Sequence, residues 1–158
     1  MFFTQIKRTF CPKIYKMRKV ADILKRKGSN VTTVSSSTSV IDALHMMADQ
    51  NIGSVVVAEQ GKFLGIMTER DYSRKVILKG RSSTDTTVGQ IMSSEFPSVH
   101  KNDTIEHCME LLSQQNLRYL PVMEGDDLVG IISINDVVKE TIVTQQETIS
   151  HLQNYINS

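Results

Sequence analysis

Apolar positions along the chain alternate between two spacings. Val40, Ala43, Leu44, Met47 and Ala48 recur at the i, i+3, i+4, i+7 interval that gives a helix one buried face. Before them, Val31 to Val34 reads as a short strand. After them come a continuous apolar run from Ser54 to Ala58, a polar turn Glu59-Gln60-Gly61-Lys62 and a second run from Phe63 to Met67, which together predict a hairpin. A further helix is expected to start near Glu69.

The same order returns 65 positions later. Val34 matches Val99, Val40 matches Ile105, Leu44 matches Met109, Met47 matches Leu112, Asn51 matches Asn116, Gly65 matches Gly130 and Asp71 matches Asp136, with no gap between them. Ile105, Cys108, Met109 and Leu112 repeat the helical face, and Tyr119 to Met123, Glu124-Gly125-Asp126-Asp127 and Leu128 to Ile132 repeat the hairpin. Such a repeat constrains architecture more tightly than any local propensity. Val20-Ala21-Asp22-Ile23-Leu24 corresponds to Val88-Gly89-Gln90-Ile91-Met92 at a slightly larger offset, so the extra length lies in the connection between the units.

Each unit reads β-α-β-β-α. A unit of about 60 residues buries only ~60% of its unfolded surface and is marginal alone. The two are therefore expected to pack across a pseudo-two-fold axis as an α+β pair, leaving clefts at their junction where small molecules commonly bind. The final helix carries Ile142, Ile149 and Ile156 at intervals of seven, with Val138, Leu152 and Tyr155 nearby. That stripe spans few heptads for a coiled coil, and the expectation is that it folds back on its own module.

Charge divides the chain. Residues 1–19 hold Lys7, Arg8, Lys13, Lys16, Arg18 and Lys19 without an acid, whereas the remainder is mildly acidic. No basic cluster after residue 19 suits a nucleic-acid backbone, so nucleic acid is not an expected partner. No apolar run is long enough to span a bilayer. The leader spaces Phe3, Ile6, Phe10 and Ile14 like an amphipathic mitochondrial presequence, although Pro12 also fits a plain basic tail. Cys11 and Cys108 give no disulfide framework, and Cys108 takes the place of Ala43, which points to a small buried side chain rather than a nucleophile. The four histidines lack metal-site spacing.

The chemistry sits where each unit's last strand ends: Gly65-Ile66-Met67-Thr68-Glu69-Arg70-Asp71 and Gly130-Ile131-Ile132-Ser133-Ile134-Asn135-Asp136. A hydroxyl residue followed three positions later by an acid is a capping box. Capping alone accounts for all four side chains. The doubling also suits a nucleoside phosphate: a glycine admits a ligand to the backbone, a helix start attracts phosphate, and a carboxylate one turn on accepts from ribose hydroxyls. On the residues themselves both readings stay open.

Together with Thr68-Glu69-Arg70-Asp71-Tyr72, Asn116-Leu117-Arg118-Tyr119-Leu120-Pro121-Val122 and the Val-x-x-Ile-Met openings, the doubled phrase resembles a tandem CBS domain pair, named after cystathionine β-synthase. It is similar in particular to stand-alone proteins made of one such pair, over residues 20–156. After the basic leader at 1–19, the resemblance implies repeats at 20–79 and 88–140, a linker at 80–87 and a helical extension at 141–158. It implies a non-enzymatic regulatory module, usually a homodimer, that binds AMP, ATP, NAD(H) or a related adenosine ligand and modulates a partner protein. It places Asp71 and Asp136 on ribose, Thr68 and Ser133 on phosphate or ribose, and Val34 and Val99 beside adenine. Arg70, Arg74 and Lys75 supply positive charge in the first unit, and Arg118 and Lys139 in the second, with Tyr119 and Pro121 also at the site. Where the family often has a histidine after the arginine, this chain has Tyr119, fit either to stack on a base or to pack in the strand. The alternative to a sensor is a constitutive adaptor in which the boxes only cap helices. An enzyme is disfavoured, since neither a phosphate-binding loop nor a nucleophile elbow is present.

Overall fold

The structure, a computed structural model, describes residues 17–158. The presequence reading therefore falls almost wholly outside the described residues. The first unit runs through α1 (Val20–Lys27), β1 (Thr33–Val34), α2 (Val40–Gln50), β2 (Ser54–Glu59), β3 (Lys62–Thr68) and α3 (Glu69–Tyr72), which continues into a π-helical turn over Ser73–Ile77. The second comprises α4 (Val88–Ile91), α5 (Ile105–Gln114), β4 (Tyr119–Glu124), β5 (Asp127–Ser133) and α6 (Ile134–Ile156).

Both hairpins form where the apolar runs predict them, β2 antiparallel to β3 and β4 antiparallel to β5. Their two-residue turns are set by left-handed backbone: Gln60 and Gly61 both have positive φ in the first, Gly125 alone in the second. The helices begin at caps the sequence announces, with Ser39, Thr68, Thr104 and Ser133 each accepting a backbone N–H three residues on.

The first strand differs between units for a reason visible in one residue. Val56 N–H donates to Thr32 O at 2.9 Å, helping to hold β1 parallel to β2. Its counterpart is Pro121, which has no N–H to give. The second unit keeps only a single bridge, Val99 to Val122.

The leading helices are exchanged. Val20, Ile23 and Leu24 of α1 lie in a core with Val99, Ile105, Cys108, Leu112, Leu120, Val122, Ile132 and Val137 of the second unit. Val88 and Ile91 of α4 lie in the other core with Val34, Val40, Ala43, Met47, Val55, Val57, Met67 and Val76 of the first. Backbone bonds fix both crossings: Val20 N–H to Asp103 O and Ile105 N–H to Arg18 O on one side, Val40 N–H to Thr86 O and Val88 N–H to Thr38 O on the other. The repeated glycines serve this exchange rather than a ligand. A Cβ on Gly65 would stand 2.6 Å from the Ser93 carbonyl oxygen, and one on Gly130 would stand 2.8 Å from Leu24 Cδ2.

The last helix corrects the expectation of folding back. One face of α6 docks on the module: Val137 and Glu140 are fully buried, and the Glu140 carboxylate is flanked by Arg26 at 2.6 Å and Arg18 at 3.3 Å, as ion pairs off the in-line direction of a hydrogen bond. The isoleucine stripe points away. Ile142 is 45% exposed, Ile149 55% and Ile156 79%, and everything from Ile149 onward is exposed.

Candidate functional site

Both doubled phrases form reciprocal capping boxes, but the carboxylates are not equally occupied. An ionised carboxylate offers about four lone-pair positions. In Asp71, Oδ2 accepts from Thr68 N–H at 2.9 Å and from the Thr68 hydroxyl at 3.0 Å, while Oδ1 accepts from the Ser93 hydroxyl at 3.0 Å and pairs with Lys75 Nζ at 2.9 Å. All four are used, and the residue is buried. Lys75 is engaged as well, donating to the Ile91 carbonyl at 2.8 Å and to Ser93 Oγ at 3.1 Å.

In Asp136, both contacts fall on Oδ2: Ser133 N–H at 2.8 Å and Lys27 Nζ at 2.8 Å, the latter reaching across from α1. Oδ1 keeps its acceptor capacity. The Ser133 hydroxyl accepts from Asp136 N–H at 3.1 Å and also leans toward the Asp136 carboxylate, more loosely than the Thr68 hydroxyl, which donates to Asp71 Oδ2 at 3.0 Å. Burial pushes the Asp136 carboxyl up, but the Lys27 ammonium and the Ser133 donors outweigh it and hold the group below the usual carboxylate value.

A groove of about 680 Å³ opens at the junction of the two units. Its walls obey the repeat: Asn51, Ile52 and Gly53 face Asn116, Leu117 and Arg118, and Glu69 and Arg70 face Ile134 and Asn135, with Met47, Ala48, Tyr119 and Ser133 completing it. Asn51 and Asn116 end α2 and α5 in the left-handed region, a conformation asparagine tolerates better than most residues. The first amides of α3 and α6 bond to the matched carbonyls, Glu69 N–H to Gly53 O at 3.2 Å and Ile134 N–H to Arg118 O at 2.8 Å. Arg70 spans the groove, donating to the Asn116 carbonyl at 2.6 Å.

Symmetry fails at Tyr119. Its hydroxyl sits where a Cβ on Gly53 would come within 2.3 Å, so only glycine leaves it room. Burial, followed by the nearby Glu69 carboxylate, pushes the phenol up from its ordinary value, and it remains a neutral donor at physiological pH. The groove thus presents one acid, Glu69, against two guanidinium groups, Arg70 and Arg118, with a phenol and a serine hydroxyl beside them.

Of the residues singled out in the sequence, Arg70, Arg118, Tyr119 and Ser133 come together in the groove. Thr68 and Asp71 are turned into their own cap and the Lys75–Ser93 cluster. Val34 and Val99 are buried in the two cores, and Pro121 is buried in β4. Arg74 and Lys139 are exposed away from the groove walls. Glu69, Asn51, Gly53, Asn116 and Asn135 were not singled out as ligand contacts. The matched asparagines at positions 51 and 116 were the available signal, since each ends a helical pattern.

The CBS domain family model matches residues 20–77 and 88–142. This chain belongs to the CBS domain family. Its two CBS repeats are similar to the mitochondrial CBS domain-containing protein CBSX3 of Arabidopsis thaliana, 34% identical over 146 residues covering 87% of this chain and 71% of that one. Among solved structures, a CBS-domain protein from Burkholderia ambifaria superposes with a TM-score of 0.77 at 41% identity, over 80% of this chain and 95% of that one. The CBS domain pair of protein MJ0100, solved with 5'-methylthioadenosine and S-adenosyl-L-methionine, shares the fold at 24% identity with a TM-score of 0.70, over 79% of this chain and 96% of that one. Among the described residues no helix is long and apolar enough to cross a membrane.

Proposed function

We propose that this CBS pair is a non-enzymatic regulatory module that binds an adenosine-containing ligand at the junction of its repeats and reports it to a partner protein. The observation that carries this reading is the groove with Arg70, Arg118, Tyr119 and Ser133 on its walls; Asp136 does not line it but is tied to Ser133 through the capping box, with Oδ1 left outside that box. Two guanidinium groups suit phosphate or another anionic tail. Ser133 and Asp136 suit a ribose, and the Tyr119 ring suits stacking on a base. The complex of MJ0100 with adenosine ligands supports the same class of ligand. In this reading the second phrase takes the ligand and the first, with Asp71 saturated, holds the fold. The basic leader and the mitochondrial relative support a location in the mitochondrial matrix.

Calorimetric titration of the full chain with AMP, ATP, NADH and S-adenosyl-L-methionine tests the proposal. At least one is expected to bind with Kd below millimolar, and Arg118→Ala or Asp136→Asn to weaken it about 10- to 100-fold, as loss of a hydrogen bond to a charged group does. A second reading, the constitutive adaptor, is favoured by the saturation of Asp71 and by glycines that serve packing. It predicts no heat from any of the four at millimolar concentration, and that result overturns the sensor.

A further inference from the structure

Lys25, Arg26 and Lys27 follow one another at the end of α1, the one run of three cations in the chain. Cations suit that end of a helix, where the last carbonyls carry partial negative charge. Two of them do more. Lys27 Nζ stands 2.8 Å from Asp136 Oδ2 and Arg26 stands 2.6 Å from Glu140, so each is paired with a carboxylate of α6. Both cations nevertheless remain exposed.

The chain then turns. Gly28 has φ 83° and ψ 167°, a conformation that a residue with a Cβ rarely adopts, and its N–H closes the helix on Leu24 O at 2.9 Å. Beyond it Ser29 is exposed, outside any helix or strand, and its hydroxyl has no hydrogen-bond partner among the described residues. Ser82, which follows Lys79-Gly80-Arg81, differs: its hydroxyl is bonded to that of Thr84 at 2.8 Å, and its carbonyl accepts Thr86 N–H at 3.0 Å.

We propose that Ser29 is a phosphorylation site for a protein kinase of the class that reads basic residues ahead of its acceptor, and that the phosphate takes Lys27 from Asp136. Such a kinase holds cations two and three positions before the acceptor on carboxylates of its own cleft, and Lys27 and Arg26 stand at those positions. In the step itself Ser29 Oγ attacks the γ-phosphorus of ATP while its proton passes to the kinase's carboxylate base, and the bond to ADP breaks with its electron pair going to ADP. Helix ends fray, which presents Arg26 and Lys27 to the kinase. Glu140 meanwhile keeps Arg18 at 3.3 Å.

A phosphoserine carries close to two negative charges at neutral pH, against one on Asp136. It would lie two residues from Lys27 in the same loop, where a flexible ammonium reaches it without any tertiary contact. Arg26 returns to Glu140, because a fully buried carboxylate is costly to leave short of cations. Lys27 is therefore the cation that moves, and Asp136 keeps only its capping box. The effect falls on the second phrase alone, since Asp71 takes its lysine, Lys75, from its own unit. The proposal goes beyond the ligand reading and stands whether or not an adenosine compound binds.

The full native chain, incubated with ATP and the catalytic subunit of cyclic-AMP-dependent protein kinase and mapped by mass spectrometry, is expected to carry phosphate on Ser29 and none on Ser82. An unmodified Ser29, or one modified only after denaturation in urea, overturns the site. The second readout is the loss in urea midpoint at pH 7 caused by Asp136→Asn. That loss is expected in chains incubated without ATP and is expected to vanish in chains phosphorylated at Ser29. A loss of the same size in both overturns the capture of Lys27.

Discussion

Asp136 shows how a side chain chosen for one role is drawn into another. Its carboxylate is poised by Lys27, and because its folded pKa is depressed, the stabilisation it brings is complete above the ordinary carboxylate value of about 3.9 and is lost as pH falls through the lower folded value. Lys27 stays 36% exposed, so solvent screens the pair and its worth is about 1 kcal/mol. Asp136→Asn is therefore expected to lower the urea midpoint at pH 7 and to leave it nearly unchanged at pH 2, measured by denaturation at both values. A cost that is the same at both pH values removes the ion pair from the account. The repeated glycines give a second residue-scale test. Gly65→Ala drives a Cβ onto a backbone carbonyl that cannot yield, whereas Gly130→Ala meets the end of a leucine that can rotate. The first is expected to cost about 2–3 kcal/mol and the second about 1 kcal/mol by thermal unfolding.

At the scale of elements, the strands, hairpins and capped helices follow from spacing because their causes are local: period, turn residues and caps all lie within a few positions of one another. What spacing does not carry is the partner of a face. Val20, Ile23 and Leu24 announce an amphipathic helix, yet nothing local says that it lies beside Val122 rather than Val57. The site was legible to the same extent. The paired phrases, Arg70, Arg118, Tyr119 and Ser133 were readable from repetition and family likeness, but the engagement of Asp136 by a lysine 109 residues away, and of Asp71 by Ser93 after α4, depends on the exchange of helices. Glu140 is the sharpest miss. It occupies the position that Lys75 holds in the first unit, and a charge inside a helical pattern reads as solvated until two arginines from the leading segment are seen to meet it. Cys108 was read correctly as buried, and burial pushes its thiol up to about 11, far from a nucleophile's range.

For the whole molecule, each core is closed by a helix from the other half, so the two repeats are expected to unfold in one transition rather than two. Cleavage of the peptide in the exposed stretch near Arg81 makes the point experimentally. Residues 1–81 and 82–158, expressed separately, are each expected to lack a fixed core by near-ultraviolet circular dichroism, and to regain it when mixed. Independent folding of either piece would show the exchange to be dispensable. The exchange also bears on how the chain is made. Synthesis runs from the amino end, so α1 leaves the ribosome before any of the residues that will cover Val20, Ile23 and Leu24 exist. Until β4 and β5 have followed, the nascent chain carries an oily ridge with no seat, and that interval, rather than the finished fold, is when a chaperone has most to hold.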